Sequence, residues 1–178
     1  FPVMVPMWMF PVALACGNTF VLKPSERDPS PSIFLAGLLR EAGLPEGVFN
    51  PVPGYGHEAR EALALHPLVD AIGFTGSTRV GRKMLEYAGR SNLKRVYNEL
   101  GGKSAFVVFD DFDDFADVER AAKTAAGSMF FNQGESCNAP SRVLVHESVA
   151  ERFVEIAASQ AAGYMPADPL DATTTMGA

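Results

Sequence analysis

Val69-Asp70-Ala71-Ile72-Gly73-Phe74-Thr75-Gly76-Ser77-Thr78-Arg79-Val80-Gly81 is the stretch from which the fold is read. Val69 to Phe74 is a short, β-prone apolar run, and the next residues are small and polar. From Arg79 to Ala88 apolar residues recur at helical spacing. A strand, a turn of Gly, Ser and Thr, and a helix make one unit of an α/β protein. The unit recurs on both sides. Upstream, Thr19 to Leu22 predicts a strand ended by Lys23-Pro24, and Ser30 to Ala42 a helix stopped by Gly43 and Pro45. Val48 to Val52 then predicts a strand and His57 to His66 a helix. Downstream, Lys94 to Leu100 is extended, Ala105 to Phe109 a strand and Phe115 to Phe130 a helix. Arg142 to His146 predicts a further strand and Val149 to Ala162 an amphipathic helix. Strands alternating with helices predict an α/β fold with a parallel sheet covered on both faces.

The 178 residues, 47% hydrophobic and 20% charged, have ordinary globular composition. Gly101-Gly102 is the predicted boundary between residues 1–100 and 101–178, since a glycine pair lets a chain leave one sheet for another. A net charge of -6 without a basic patch argues against nucleic acid and anionic membrane as partners. No apolar run reaches the roughly 18 residues that span a bilayer. Phe1 to Cys16 is apolar and expected to be buried, but Pro2, Pro6 and Pro11 interrupt it and it has no basic leader, so it is not expected to be a signal peptide. Cys16 and Cys137 form no disulfide framework, so a reducing, cytoplasmic setting is expected. Asp110-Asp111-Phe112-Asp113-Asp114 reads as a solvated strand-to-helix loop with an N-cap. The chain enters directly at Phe1 and closes in a threonine-rich stretch after Asp168-Pro169-Leu170, and is expected to be an internal piece of a longer protein.

Four local patterns carry chemistry. Lys23-Pro24-Ser25-Glu26 follows a strand, where α/β sheets bind ligands; a Lys and a Glu there could hold the hydroxyls of a ribose. The same residues also read as a plain turn, with Ser25 or Asp28 capping the next helix. Thr75-Gly76-Ser77 with Val80 and Gly81 would bring backbone amides of a helix N-terminus close to a phosphate, or simply cap the helix through Ser77 or Thr78. Glu99-Leu100-Gly101-Gly102-Lys103 sets a carboxylate beside a domain crossing, where burial in a cleft would suit a general base; otherwise it is a surface Glu at a strand end. Asn132-Gln133-Gly134-Glu135-Ser136-Cys137 places a thiol after a polar turn whose amides could stabilise a thiolate or an oxyanion. Cys16, among small residues, is expected only to pack.

Phe1-Pro2, Gly17-Asn18-Thr19, Lys23-Pro24-Ser25-Glu26, Phe74-Thr75-Gly76-Ser77-Thr78, Glu99-Leu100-Gly101-Gly102-Lys103 and Asn132-Gln133-Gly134 through Cys137, in this order, resemble the aldehyde dehydrogenase superfamily. The resemblance covers essentially the whole chain, apart from a few extra residues in the acidic loop. It implies a Rossmann-like domain for NAD or NADP over residues 1–100 and the start of an α/β catalytic domain over 101–178, both incomplete. By resemblance, Cys137 is the nucleophile and Glu99 the base that hydrolyses its thioester. Lys23 and Glu26 look like adenosine-ribose contacts and Ser77 like a pyrophosphate contact, with Ser25, Thr75, Gly76, Val80 and Gly81 also among the implied cofactor contacts. Gly56 and His57 lie over the adenine, and Leu100 also falls among the cofactor contacts. Glu26 favours NAD, because a carboxylate accepts a 2'-hydroxyl bond and repels a 2'-phosphate. The implied substrate is a small-molecule aldehyde, and the full-length protein a homo-oligomer, dimer or tetramer.

The same resemblance places an oxyanion asparagine before Phe1 and a carboxylate for the nicotinamide ribose beyond Ala178, so the chain alone is expected to show little activity. Phe1 to Asp28 looks like methylmalonate-semialdehyde dehydrogenases, which transfer the acyl group to coenzyme A. From Phe74 onward, with Ser91 to Val96, the chain looks like hydrolytic enzymes for amino-aldehydes such as γ-glutamyl-γ-aminobutyraldehyde. Glu99 decides for hydrolysis, because a positioned base is not needed when a thiol is the acceptor. A truncated relative with a binding or structural role, or a cysteine hydrolase, are the rivals. The latter lacks a base, since His57, His66 and His146 read as helix and strand ends.

Overall fold

The structure, a computed structural model, describes residues 1–112 and 114–177. It divides into two compact units, Phe1–Glu99 and Leu100–Ala178. The class is α/β, as expected, but the strands pair in twos instead of forming one sheet. They are only three to six residues long, and several carry exposed apolar side chains, among them Val21, Val107 and Leu144.

The first unit opens with α1 (Met4–Ala15), where the prolines had suggested an interruption. Pro6 falls in the first turn, where no intrahelical donor is needed, so only Pro11 costs the helix a hydrogen bond. The expected burial of this segment is not met within the unit. Phe10 alone is buried, against Phe20 and Phe49 with ring centroids 6.3 and 4.7 Å away. Met4, Met7, Trp8 and Val12 are exposed, because a helix apolar all round has only one face with a partner here. Gly17, at φ +80°, closes α1: its amide donates to Leu14 at 2.9 Å and that of Asn18 to Ala13 at 3.0 Å. Cys16, expected to pack, sits at this helix end and is exposed.

β1 (Phe20–Leu22) pairs in parallel with β2 (Phe49–Pro51), Phe20 opposite Phe49. Between them runs α2 (Ser30–Glu41), whose N-cap is Pro29 without a side-chain bond. Neither Ser25 nor Asp28 caps it; the Ser25 hydroxyl instead accepts from the Arg27 amide at 3.2 Å. A π-helical turn, Gly56–Arg60, leads into α3 (Glu61–Leu65). β3 (Ala71–Gly76) then pairs with β4 (Arg95–Leu100), and α4 (Thr78–Arg90) joins them. Ala64, Met84 and Tyr87 form the core here, with Ile72, Phe74, Val80 and Val96 packed on it.

Lys94, just before β4, is 6% exposed. Its ammonium donates to the Ala64 and His66 carbonyls at 2.8 and 2.6 Å, satisfying the open end of α3. Burial lowers its pKa, opposed by the charge of Asp70. Lys94→Met keeps the stem but strands both carbonyls. It is expected to cost about 2–4 kcal/mol, read as a lower urea midpoint at unchanged slope; an unchanged midpoint would contradict this role.

In the second unit β5 (Ala105–Val108) pairs in parallel with β6 (Arg142–Val145), Ala105 opposite Arg142 and Val108 opposite Val145. α5 (Phe115–Phe130) lies between them in sequence and α6 (Glu147–Ala161) follows. Val118, Ala122 and Ala125 recur on one face of α5 and, with Val108, meet Phe153 and Ile156 of α6. The alanines let the two helices approach closely. The Asp114 carboxylate caps α5, accepting from the Ala116 and Asp117 amides at 2.7 and 3.2 Å. Asp113 of the acidic loop lies outside the described residues. No helix among the described residues is long and apolar enough to cross a membrane.

Candidate active site

Beyond β1 the chain brings Lys23 and Glu26 together, with Nζ and Oε2 3.1 Å apart. The same ammonium donates to the Gly54 carbonyl at 3.0 Å, tying the end of β1 to the loop after β2. A bond from its own backbone amide, then the Lys23 ammonium, and more weakly the Arg60 guanidinium, lower the Glu26 pKa. Glu26 is therefore an anionic acceptor at neutral pH. Gly56 and His57 start the π-helical turn, where the His57 ring stacks on Tyr55 at 5.7 Å. Arg60, absent from the sequence-based candidates, belongs here. A Cβ on Gly56 would lie 2.9 Å from its Nη1. The spacing of four residues on a helical turn is a signal from which this could have been read.

Ser77 is the N-cap of α4, its hydroxyl 3.4 Å from the Val80 amide. Thr75 and Gly76, expected in the turn, are the last residues of β3. Gly76 and Ser77 are exposed, so the first turn of α4 presents open backbone. Gly81 is buried, and its carbonyl accepts from Asn98 Nδ2 at 3.2 Å, which ties α4 to β4. Val80 packs on the core.

Glu99 and Leu100 end β4. Alternation along the strand turns Val96, Asn98 and Leu100 inward, and Arg95, Tyr97 and Glu99 outward. The burial expected for Glu99 is thus not supplied by its own unit.

Cys137 is a free, half-buried cysteine of the second unit. After α5 the chain makes a tight turn, Phe131–Gly134. Asn132, Gln133 and Gly134 all have left-handed backbones, with φ of 48°, 57° and 74°. Asn and Gly accept this readily, whereas Gln133 carries about 1–2 kcal/mol of strain. Past the thiol, the Ala139 amide donates to the Ser136 carbonyl at 3.0 Å, and Ala139 and Pro140 are buried. Among the described residues the Cys137 amide donates to no backbone acceptor. A half-buried thiol with an amide free of a backbone acceptor is a combination that nucleophilic attack on a carbonyl could use. Gly102 meets this turn closely: a Cβ there would lie 2.7 Å from the Cys137 carbonyl oxygen. No group of His, Cys, Asp and Glu among the described residues could hold a metal ion.

The profile described as aldehyde dehydrogenase family matches residues 1–178. The chain is 50% identical over 177 residues to the NADP/NAD-dependent aldehyde dehydrogenase PuuC of Escherichia coli K12, covering 99% of this chain and 35% of that protein. It superposes with a TM-score of 0.94 on the γ-glutamyl-γ-aminobutyraldehyde dehydrogenase of Burkholderia cenocepacia J2315, at 51% identity, covering 100% of this chain and 35% of the other. An indole-3-acetaldehyde dehydrogenase solved with NAD+ gives a TM-score of 0.92 at 47% identity, covering 98% and 34%. The chain spans about a third of the length of these relatives. With a match over its full length, the chain belongs to the aldehyde dehydrogenase family.

Proposed function

We propose that this chain serves the NAD-dependent oxidation of an aldehyde to a carboxylic acid in the whole protein, with residues 1–100 holding the cofactor and 101–178 the nucleophile. The observation that carries the reading is Cys137, a free thiol shortly past a left-handed turn, whose own amide donates to no backbone acceptor among the described residues. Its thiolate adds to the aldehyde carbonyl to give a thiohemiacetal, whose oxyanion the turn amides stabilise. Loss of hydride leaves a thioester on Cys137. The Glu99 carboxylate takes a proton from water, which attacks the thioester; the acid departs and the thiol is restored. A reducing, cytoplasmic setting keeps Cys137 available.

The first unit offers a fit for a dinucleotide. Lys23 and the anionic Glu26 lie where they could hold ribose hydroxyls, and the open first turn of α4 at Ser77 suits a pyrophosphate. When bound, NAD supplies the hydride acceptor. Glu26 favours NAD over NADP, since a carboxylate repels a 2'-phosphate.

Phe1 to Asp28 supports a second reading, acyl transfer to coenzyme A, through its likeness to methylmalonate-semialdehyde dehydrogenases. Glu99 weighs against it, because a base serves water. A full-length enzyme carrying this chain is expected to form one NADH and one free acid per aldehyde with no coenzyme A present. NADH fluorescence and product mass measure both, and γ-glutamyl-γ-aminobutyraldehyde is the aldehyde to assay first. A strict requirement for coenzyme A would favour the second reading. Absence of both NAD binding and aldehyde oxidation would leave a binding or structural role.

A further inference from the structure

We propose that Gly102 positions the Cys137 thiol, holding the carbonyl end of its turn at a separation that only a residue without a side chain permits. The inference rests on Cys137 being the nucleophile. A Cβ on Gly102 would lie 2.7 Å from the Cys137 carbonyl oxygen and 3.8 Å from its carbon. Ordinary carbon–oxygen contacts begin at about 3.3 Å, so a methyl group demands a movement of roughly 0.6 Å.

That movement falls on the turn, because the Gly102 side is tied down. The Lys103 carbonyl accepts from Arg142 Nε at 3.1 Å and the Ser104 carbonyl from the Arg142 amide at 3.3 Å. Ala105 then enters the β5 ladder opposite Arg142. The segment that carries Cys137 is held at its two ends, by the left-handed residues 132–134 before it and by buried Ala139 and Pro140 after it. Cys137 lies between these anchors and takes the displacement.

Gly101 provides the contrast. A Cβ there would meet nothing within 4 Å, and neither glycine has a positive φ. Backbone freedom therefore does not distinguish the two, and space does.

The test compares Gly101→Ala with Gly102→Ala in the full-length enzyme, with alkylation of Cys137 read by mass spectrometry of the peptide that carries it. Iodoacetamide alkylation is followed from about pH 6 to 10, together with thermal melting. Gly101→Ala is expected to stay within about twofold of the parent rate, and Gly102→Ala to change it at least about fivefold with melting little altered. In the full-length enzyme Gly102→Ala is expected to lower kcat about 10–100-fold without changing the Kd for NAD. Equal alkylation in the two variants would overturn the proposal. So would unfolding of Gly102→Ala alone, which would make the contact a folding determinant. Altered alkylation in a protein that oxidises no aldehyde would leave the positioning intact and sink the functional reading.

Discussion

Cys137→Ala in a full-length enzyme carrying this chain is expected to lower aldehyde oxidation by about 10⁴-fold or more, leaving NAD affinity within about twofold. Covalent catalysis divides one hard oxidation into two easier steps, and both pass through the sulfur. Without it no thiohemiacetal forms to give up a hydride, and no thioester forms to be hydrolysed. Cofactor affinity should persist, because the proposed contacts Lys23, Glu26 and Ser77 belong to the first unit and Cys137 to the second. Cys16→Ser supplies the control: Cys16 is an exposed helix end and should be replaceable without loss. NADH formation with saturating aldehyde, beside fluorescence titration of NAD, measures both quantities. Substantial activity in Cys137→Ala would remove the nucleophile from the mechanism.

Glu99→Gln is expected to give one rapid equivalent of NADH per site and then a steady-state rate lower by about 10²–10⁴-fold, the usual contribution of a positioned base. The amide keeps the size of the side chain and loses its ability to take a proton from water. The acyl group then stays on Cys137. Stopped-flow fluorescence should resolve the burst, and mass spectrometry of the quenched protein should find the acylated cysteine. Hydroxylamine, which attacks a thioester without a base, is expected to restore turnover. Full steady-state turnover of Glu99→Gln without coenzyme A would reassign the base.

Much of the fold was legible because period and punctuation act locally. The run Val69 to Phe74, the small residues after it and the helical spacing beyond place β3 and α4 within two residues of where they lie. Phe115 to Phe130 is bounded as read, since Asp114 offers the cap that starts α5. The opening helix was not legible. The three prolines read as interruptions of an apolar run and no element was assigned there, yet Pro6 falls where a helix tolerates proline. Cys16 was misjudged for a related reason: its small neighbours suggested packing, whereas a helix end closed by Gly17 leaves it in solvent. Ser25 and Asp28 had the chemistry of caps, but Pro29 took the position.

For the candidate site, the ordered resemblance nominated Cys137, Glu99, Lys23, Glu26 and Ser77, where each pattern alone also read as a plain turn, cap or surface residue, although thiol nucleophiles, bases and ribose acceptors come from few side chains. Their environments depended on contacts across the chain. The Lys23 ammonium meets Gly54, 31 residues away, and Arg60 closes on Gly56 only once the π-helical turn forms. Glu99 points outward because strand alternation gave Val96 and Leu100 the inner face. The sequence by itself determined the α/β alternation, which follows from local pattern, and through its resemblance the family; it also nominated the reactive side chains. Only the tertiary structure decided that Gly102, not Gly101, abuts the Cys137 turn, because close approach between segments 35 residues apart leaves no mark on local pattern.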